Sequence, residues 1–162
     1  ERYTGLHVLG LSEVLENPEI VQIEEKSIQI PSLPGMVILK LIAWSDRPEE
    51  RDNDLYDILR IIEHYFDLNY DQILEHHFDT FTEVEVFDQL KIAARVLGRK
   101  ASHFLKISVP INSRILKTLN DNVIDAKNSE IAKEWIKKKE WDLEYAVQIL
   151  EELKRGLTEK VK

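Results

Sequence analysis

No cysteine occurs in the sequence, so neither disulfide cross-links nor thiolate metal sites contribute to the fold or its chemistry. Glycine is scarce, with five residues scattered along the chain. A phosphate-binding loop or a dinucleotide fingerprint needs clustered glycines between a strand and a helix, so that backbone amides can approach the phosphates; no such cluster is present. A Gly-x-Ser-x-Gly elbow is also missing, which argues against a serine hydrolase. No apolar run comes near the roughly 18 residues needed to span a bilayer. Glu1-Arg2-Tyr3-Thr4-Gly5 does not lead into the apolar segment of a signal peptide. These absences point to a cytoplasmic protein with no use for a membrane. Positive charge is in deficit: 22 Lys and Arg face 30 Asp and Glu, for a net charge of −8. Affinity for nucleic acid comes from neutralising phosphates, so the chain by itself is ill suited to bind DNA or RNA. Glu1 stands where an initiator methionine would, as expected of a piece of a longer protein.

What remains is ordinary for a globular domain, with 43% hydrophobic and 32% charged residues and enough length to bury a core. The expected fold class is mainly α (α+β), with a β-hairpin lead-in over residues 1–31 and a helical domain over residues 32–162. In the lead-in, Ser12 can cap a short helix over Glu13 to Glu16, stopped by Asn17-Pro18. Ile20, Ile23, Ile28 and Ile30 then alternate as anchors of two strands, with Glu25-Lys26 at the tip. Ser32 and Pro34 form a helix start, a capping hydroxyl followed by proline in the first turn. Met36 to Trp44 is apolar almost all round, which predicts a central, buried helix. Leu55, Ile58, Leu59, Ile62 and Phe66 recur at helical spacing and predict a helix from Asn53 to Phe66. A short helix is expected over Asp71 to His77. Thr82-Glu83-Val84-Glu85 reads as a capping box, opening a long helix that runs through Leu97 and past Gly98 to Leu105. Further helices are expected at about Pro110 to Leu119, Ser129 to Lys138 and Asp142 to Leu157, with Trp135 and Trp141 in the core.

Lys40 is the sharpest chemical candidate, because it is the only charged residue between Leu33 and Ser45. An ammonium there loses hydration unless it snorkels or finds a partner. Asp54 and Asp57 share one face at the start of the next helix, although acids in a first turn also suit the helix dipole. Arg47 and Arg51 can reach the same region; for Arg51 a surface salt bridge is the simpler reading. His76, His77 and Asp79 do not make a zinc set, since adjacent histidines project to different sides of a helix. Lys133, Lys137, Lys138 and Lys139 read as a solvated helix face, with nucleic-acid contact as the minority reading.

Three stretches taken together carry a resemblance. They are Ile30-Pro31-Ser32-Leu33-Pro34-Gly35-Met36-Val37-Ile38-Leu39-Lys40-Leu41-Ile42-Ala43-Trp44-Ser45-Asp46-Arg47, then Asn53-Asp54-Leu55-Tyr56-Asp57, then Ala93-Ala94-Arg95-Val96-Leu97-Gly98-Arg99. In order and spacing this resembles AbiEii-like nucleotidyltransferases, members of the polymerase-beta-like superfamily that include toxins of bacterial toxin–antitoxin and phage-defence systems. The resemblance covers residues 6 to 119; residues 120–162 match nothing in it. It implies that the chain is the C-terminal helical part of a transferase, with residues 1–31 a remnant of the nucleotidyltransferase core. It implies that Lys40 and Asp54 are catalytic, Lys40 on the nucleotide phosphates, and that Arg47 and Asp57 help bind the cofactor. It further implies Mg2+ and a nucleoside triphosphate in the full-length protein, an RNA or protein acceptor, and a cognate antitoxin as partner.

Two departures qualify it. Asn53 stands where the family has lysine. The Gly-Ser turn and the Asp-x-Asp pair, whose carboxylates hold the metals for in-line phosphoryl transfer, do not occur upstream of these motifs. The chain alone is therefore expected to be inactive and to hold no metal or cofactor. Two rivals stand beside this reading. One is a non-catalytic helical module that docks an antitoxin or other partner protein. The other is a helical ribonuclease, which needs Arg, four residues, then His; Arg60…His64 and Arg99…His103 each have only three residues between.

Overall fold

The computed structural model describes residues 18–23, 26–82 and 85–160. The short helix expected over Glu13 to Glu16 lies outside the described residues. Two five-residue strands, β1 (Glu19–Ile23) and β2 (Lys26–Ile30), pair antiparallel, with Glu19 opposite Ile30 and Ile23 opposite Lys26. Lys26 thus belongs to a strand rather than to the tip.

From there on, the described chain is a helical bundle. Helix α1 (Leu33–Asp46) starts where Ser32 accepts a hydrogen bond from the Gly35 amide at 3.2 Å, with Pro34 in the first turn. Both devices deal with amides that have no partner at a helix start. It buries Val37, Ile38, Leu41, Ile42 and Trp44, side chains worth about 1.5–3 kcal/mol each when fully buried. Helix α2 (Asp52–Leu68) buries the stripe Leu55, Ile58, Leu59, Ile62, Tyr65 and Phe66. Two short helices follow, α3 (Tyr70–His76) and α4 (Asp79–Thr82).

The expected capping box is not one. Thr82 closes α4, its hydroxyl donating to the Asp79 carbonyl. The long helix α5 (Gln89–Ile107) begins only at Asp88, whose carboxylate accepts from the Lys91 amide at 3.0 Å. The other Asp88 oxygen accepts from the Tyr145 hydroxyl at 2.6 Å, which fixes the cap from outside its own helix.

Ser108 caps α6 (Val109–Val123). Ser129 caps α7 (Glu130–Ile136), and Asp142 caps α8 (Leu143–Thr158). Asn122, 4% exposed, ties α6 to the start of α7: its side-chain oxygen accepts from the Ile131 amide at 3.0 Å and the Ser129 hydroxyl at 3.3 Å. Trp135 is fully buried, and its indole N–H donates to the Leu55 carbonyl at 2.8 Å. Trp141 is half-buried, edge-on to Tyr145.

Helix α5 is the centre, packing against α1, α2, α6 and, most extensively, α8. Glycine makes that last contact possible. A Cβ on Gly98 would lie 2.8 Å from the Leu157 nitrogen and 2.9 Å from the Gly156 Cα, and closer still to the Leu153 carbonyl oxygen. A Cβ on Gly156 would meet the Arg95 carbonyl and lie 2.8 Å from the Arg99 nitrogen. Either side of this crossing, Arg95 and Arg99 are buried and share Glu159, just past the end of α8. Arg95 Nε donates to it at 2.8 Å and Arg99 Nη2 at 2.6 Å. Arg99 also holds Asp79, Nη1 to Oδ1 at 2.9 Å. Among the described residues no helix is long and apolar enough to cross a membrane.

Candidate functional site

Packing α1 on α2 brings Lys40 to two carboxylates 14 and 17 residues away. Its ammonium donates to Asp54 Oδ1 at 3.2 Å and to Asp57 Oδ2 at 2.8 Å. The other oxygen of Asp54 accepts from Arg51 Nε at 2.6 Å, and the other oxygen of Asp57 from Arg60. The Asp54 side chain is only 5% exposed, whereas Lys40 and Asp57 keep 27% and 26%. Burial pulls the Lys40 pKa down, but hydrogen bonds to Asp57 and Asp54 outweigh it and hold the group above the ordinary lysine value. Hydrogen bonding to Asp54 likewise raises Arg51. The lysine is therefore charged at neutral pH, and three cations surround two carboxylates. Removing either kind of partner would leave a poorly solvated charge, which is costly.

Two clefts meet at the exposed side of the cluster, at Asp57 and Arg60. One is a trough of about 470 Å³ with Leu33, Met36, Ile61 and Leu68 as its apolar lining, and Lys40, Asp57 and Arg60 at its polar edge. The other is a polar cleft of about 520 Å³ that Tyr56, Asp57, Arg60 and Lys138 help to line. Asp57 and Arg60 face both. Clefts of this size accommodate small organic ligands.

Of the residues singled out in the sequence, Lys40, Asp54 and Asp57 meet, and Arg47 does not. Arg47 follows the end of α1, is largely exposed, and pairs loosely with Glu50 at 3.6 Å. Arg51, read as a surface salt bridge, makes one with Asp54 and keeps its side chain 47% exposed. Arg60 was weighed only for its spacing to His64, and Tyr56 for no role of its own, although Arg60 follows Asp57 by one helical turn. Asp52-Asn53-Asp54 does spell Asp-x-Asp, but on the first turn of a helix, with Asp52 exposed and Asp54 buried.

His76 is exposed beside Glu75. His77 is buried, its Nδ1 3.2 Å from Arg99 Nη1; burial and then the Arg99 charge push its pKa below the ordinary histidine value. His103 is exposed, with its ring against the Lys100 carbonyl, so Arg99 and His103 do not converge on one site. In the basic cluster, Lys133, Lys137 and Lys139 pair with Glu130, Glu134 and Glu63, while Lys138 lies over the Tyr56 ring, 4.6 Å from its centre. That is the pattern of a solvated face.

Among the described residues no group of three or more His, Asp or Glu gathers as a metal site. The oxygens of Asp54 and Asp57 are already held by Lys40, Arg51 and Arg60, so this donor set does not fit Mg2+. Compared with protein-family models, curated proteins and solved structures, the chain matches none.

Proposed function

We propose that this chain is the C-terminal helical part of a cytoplasmic nucleotidyltransferase that moves a nucleotide from a nucleoside triphosphate to an RNA or protein acceptor. The observation that carries the reading is the Lys40–Asp54–Asp57 cluster, in which a partly exposed lysine and Asp57 stand at the edge of a cleft and a buried Asp54 backs them. Buried salt bridges with no other role gain little over apolar packing; a lysine held charged at a cleft edge has a chemical use. Phosphoryl transfer spreads negative charge over the equatorial oxygens of the transferred group, and catalysis there is positioning plus electrostatic stabilisation. Lys40 contacts those oxygens. Asp54, locked by Arg51, positions the ammonium without touching the substrate. Asp57 and Arg60 line the triphosphate path. The family's Asp-x-Asp carboxylates, not these residues, would hold Mg2+, so the chain alone is inactive. A cognate antitoxin belongs to the same reading.

In the intact protein, Lys40→Ala or Asp54→Ala is expected to lower transfer of radiolabelled nucleotide by roughly 100-fold or more. Circular dichroism should show the helical content unchanged. Turnover equal to the parent in both folded variants removes them from the mechanism.

A further inference from the structure

Four of the five phenylalanines gather in one cluster. Phe66 contacts Tyr70, Phe81 and Phe87 with ring centres 5.6 to 5.9 Å apart, and Phe78 stacks on Phe81 at 5.4 Å. A core aromatic cluster would be covered. Here Phe78 and Phe87 are each 55% exposed, Val86 77% and Tyr70 47%. Exposed apolar side chains scattered singly need no explanation, whereas a contiguous aromatic patch marks an interaction site. Phenylalanine and tyrosine are the side chains that anchor interfaces, since they bury much area for little lost rotamer freedom.

The chain that carries the patch is acidic. Between Arg60 and Lys91 the sequence has no lysine or arginine and eight acidic residues. Asp67, Asp71, Glu75 and Glu85 flank the patch residues in the chain and are exposed. An aromatic patch with a rim of one sign selects a partner of the other sign. We infer that this face docks a protein segment carrying basic residues beside apolar ones, such as an amphipathic helix with lysine or arginine along one edge. A second copy of this chain would set the acidic rim against itself across a two-fold axis, and an anionic lipid surface meets the same repulsion. The inference stands on the patch alone and holds whether or not Lys40 serves a transferase.

A phage-displayed library of random 16-residue peptides, panned against the protein, tests it. The peptides selected should carry net positive charge with leucine, isoleucine or aromatic residues. They should bind at least tenfold more weakly to Phe78→Ser/Phe87→Ser, a variant whose circular dichroism should match the parent because both rings are half in water. Their affinity should fall as sodium chloride is raised. Neutral or acidic selected peptides, binding that survives the double substitution, or a library that yields no binder each overturns the inference. So does sedimentation showing a dimer that the double substitution dissolves, since the occupant would then be a second copy.

Discussion

Replacing Gly98 by alanine sets two effects against each other, and the structure decides which is larger. Alanine is favoured over glycine in a helix interior by about 1 kcal/mol, so in an open position Gly98→Ala would stabilise α5. Here the new methyl would lie within 3 Å of the Leu157 nitrogen and the Gly156 Cα, where ordinary contact begins at 3.4 Å. Every one of these neighbours is backbone, so no side chain can swing away. Relief requires α5 and α8 to separate, and overpacking of this kind costs about 1–3 kcal/mol or more. Separation also stretches the bonds from Arg95 and Arg99 to Glu159, and hydrogen bonds to charged groups contribute about 1.5–3 kcal/mol each. The net expected loss is about 2–4 kcal/mol. For a chain of this size that lowers the melting temperature by roughly 5–15 °C. Thermal unfolding followed by far-ultraviolet circular dichroism measures it. A Gly98→Ala variant that melts at or above the parent temperature would mean that helix propensity prevails and that the close crossing is not a constraint. Gly156→Ala should behave alike, and the double variant should fall short of additivity because both methyls press on one contact.

Three further outcomes follow from named contacts. Hydrogen bonding to Arg99 holds the Asp79 pKa at about 2, and arginine hydrogen bonds outweigh burial to lower Glu159 as well. Both contributions are complete above the unfolded carboxylate values of roughly 4 and are lost as pH falls below them, for Asp79 toward about 2. His77, also depressed, contributes fully above roughly 6.5 and less as pH falls below it. Urea midpoints should therefore begin to drop below neutrality and steepen in acid, and His77→Phe should flatten the upper part; a midpoint unchanged down to about pH 3 contradicts this. Asn122→Ala orphans the Ile131 amide and should cost about 1–3 kcal/mol in urea unfolding, whereas a neutral result would show that the α6–α7 joint tolerates its loss. Trp135→Phe removes the bond to the Leu55 carbonyl and part of a fully buried ring, and should cost about 2–3 kcal/mol, read from the same unfolding curves.

The helices were legible in the sequence because their signals are local. Ser32 with Pro34, the helix starts expected at Ser129 and Asp142, and the stripe from Leu55 to Phe66 each announce an element within a few residues. Where two local signals compete, the distant structure chooses. Thr82 and Asp88 both resemble caps, and Asp88 prevails because Tyr145, far along the chain, bonds its second oxygen. The candidate site was legible as separate parts, a lone lysine on an apolar helix and two acids on one face. The arginines that join them, Arg51 and Arg60, each stand three residues from the acid they hold, but that spacing alone does not tell an engaged arginine from a solvated one. The place of residues 120–160 was not legible at all. Their helices are readable, but the partner of Gly98 is Gly156, and nothing near either glycine names the other.

The Arg99–Glu159 contact spans 60 residues of sequence, and that separation sets an order of events during synthesis. When α5 leaves the ribosome it carries two arginines and a glycine groove whose counterparts have not yet been made. At about 5–20 residues per second the wait lasts roughly 3–12 s, far longer than helix formation itself needs. During that interval α1 and α2 can meet and bring Lys40 to Asp54, while the flank of α5 meant for α8 stays bare. The nascent chain thus has a defined window in which a chaperone or protease can bind that flank, and it closes when Gly156 settles against Gly98.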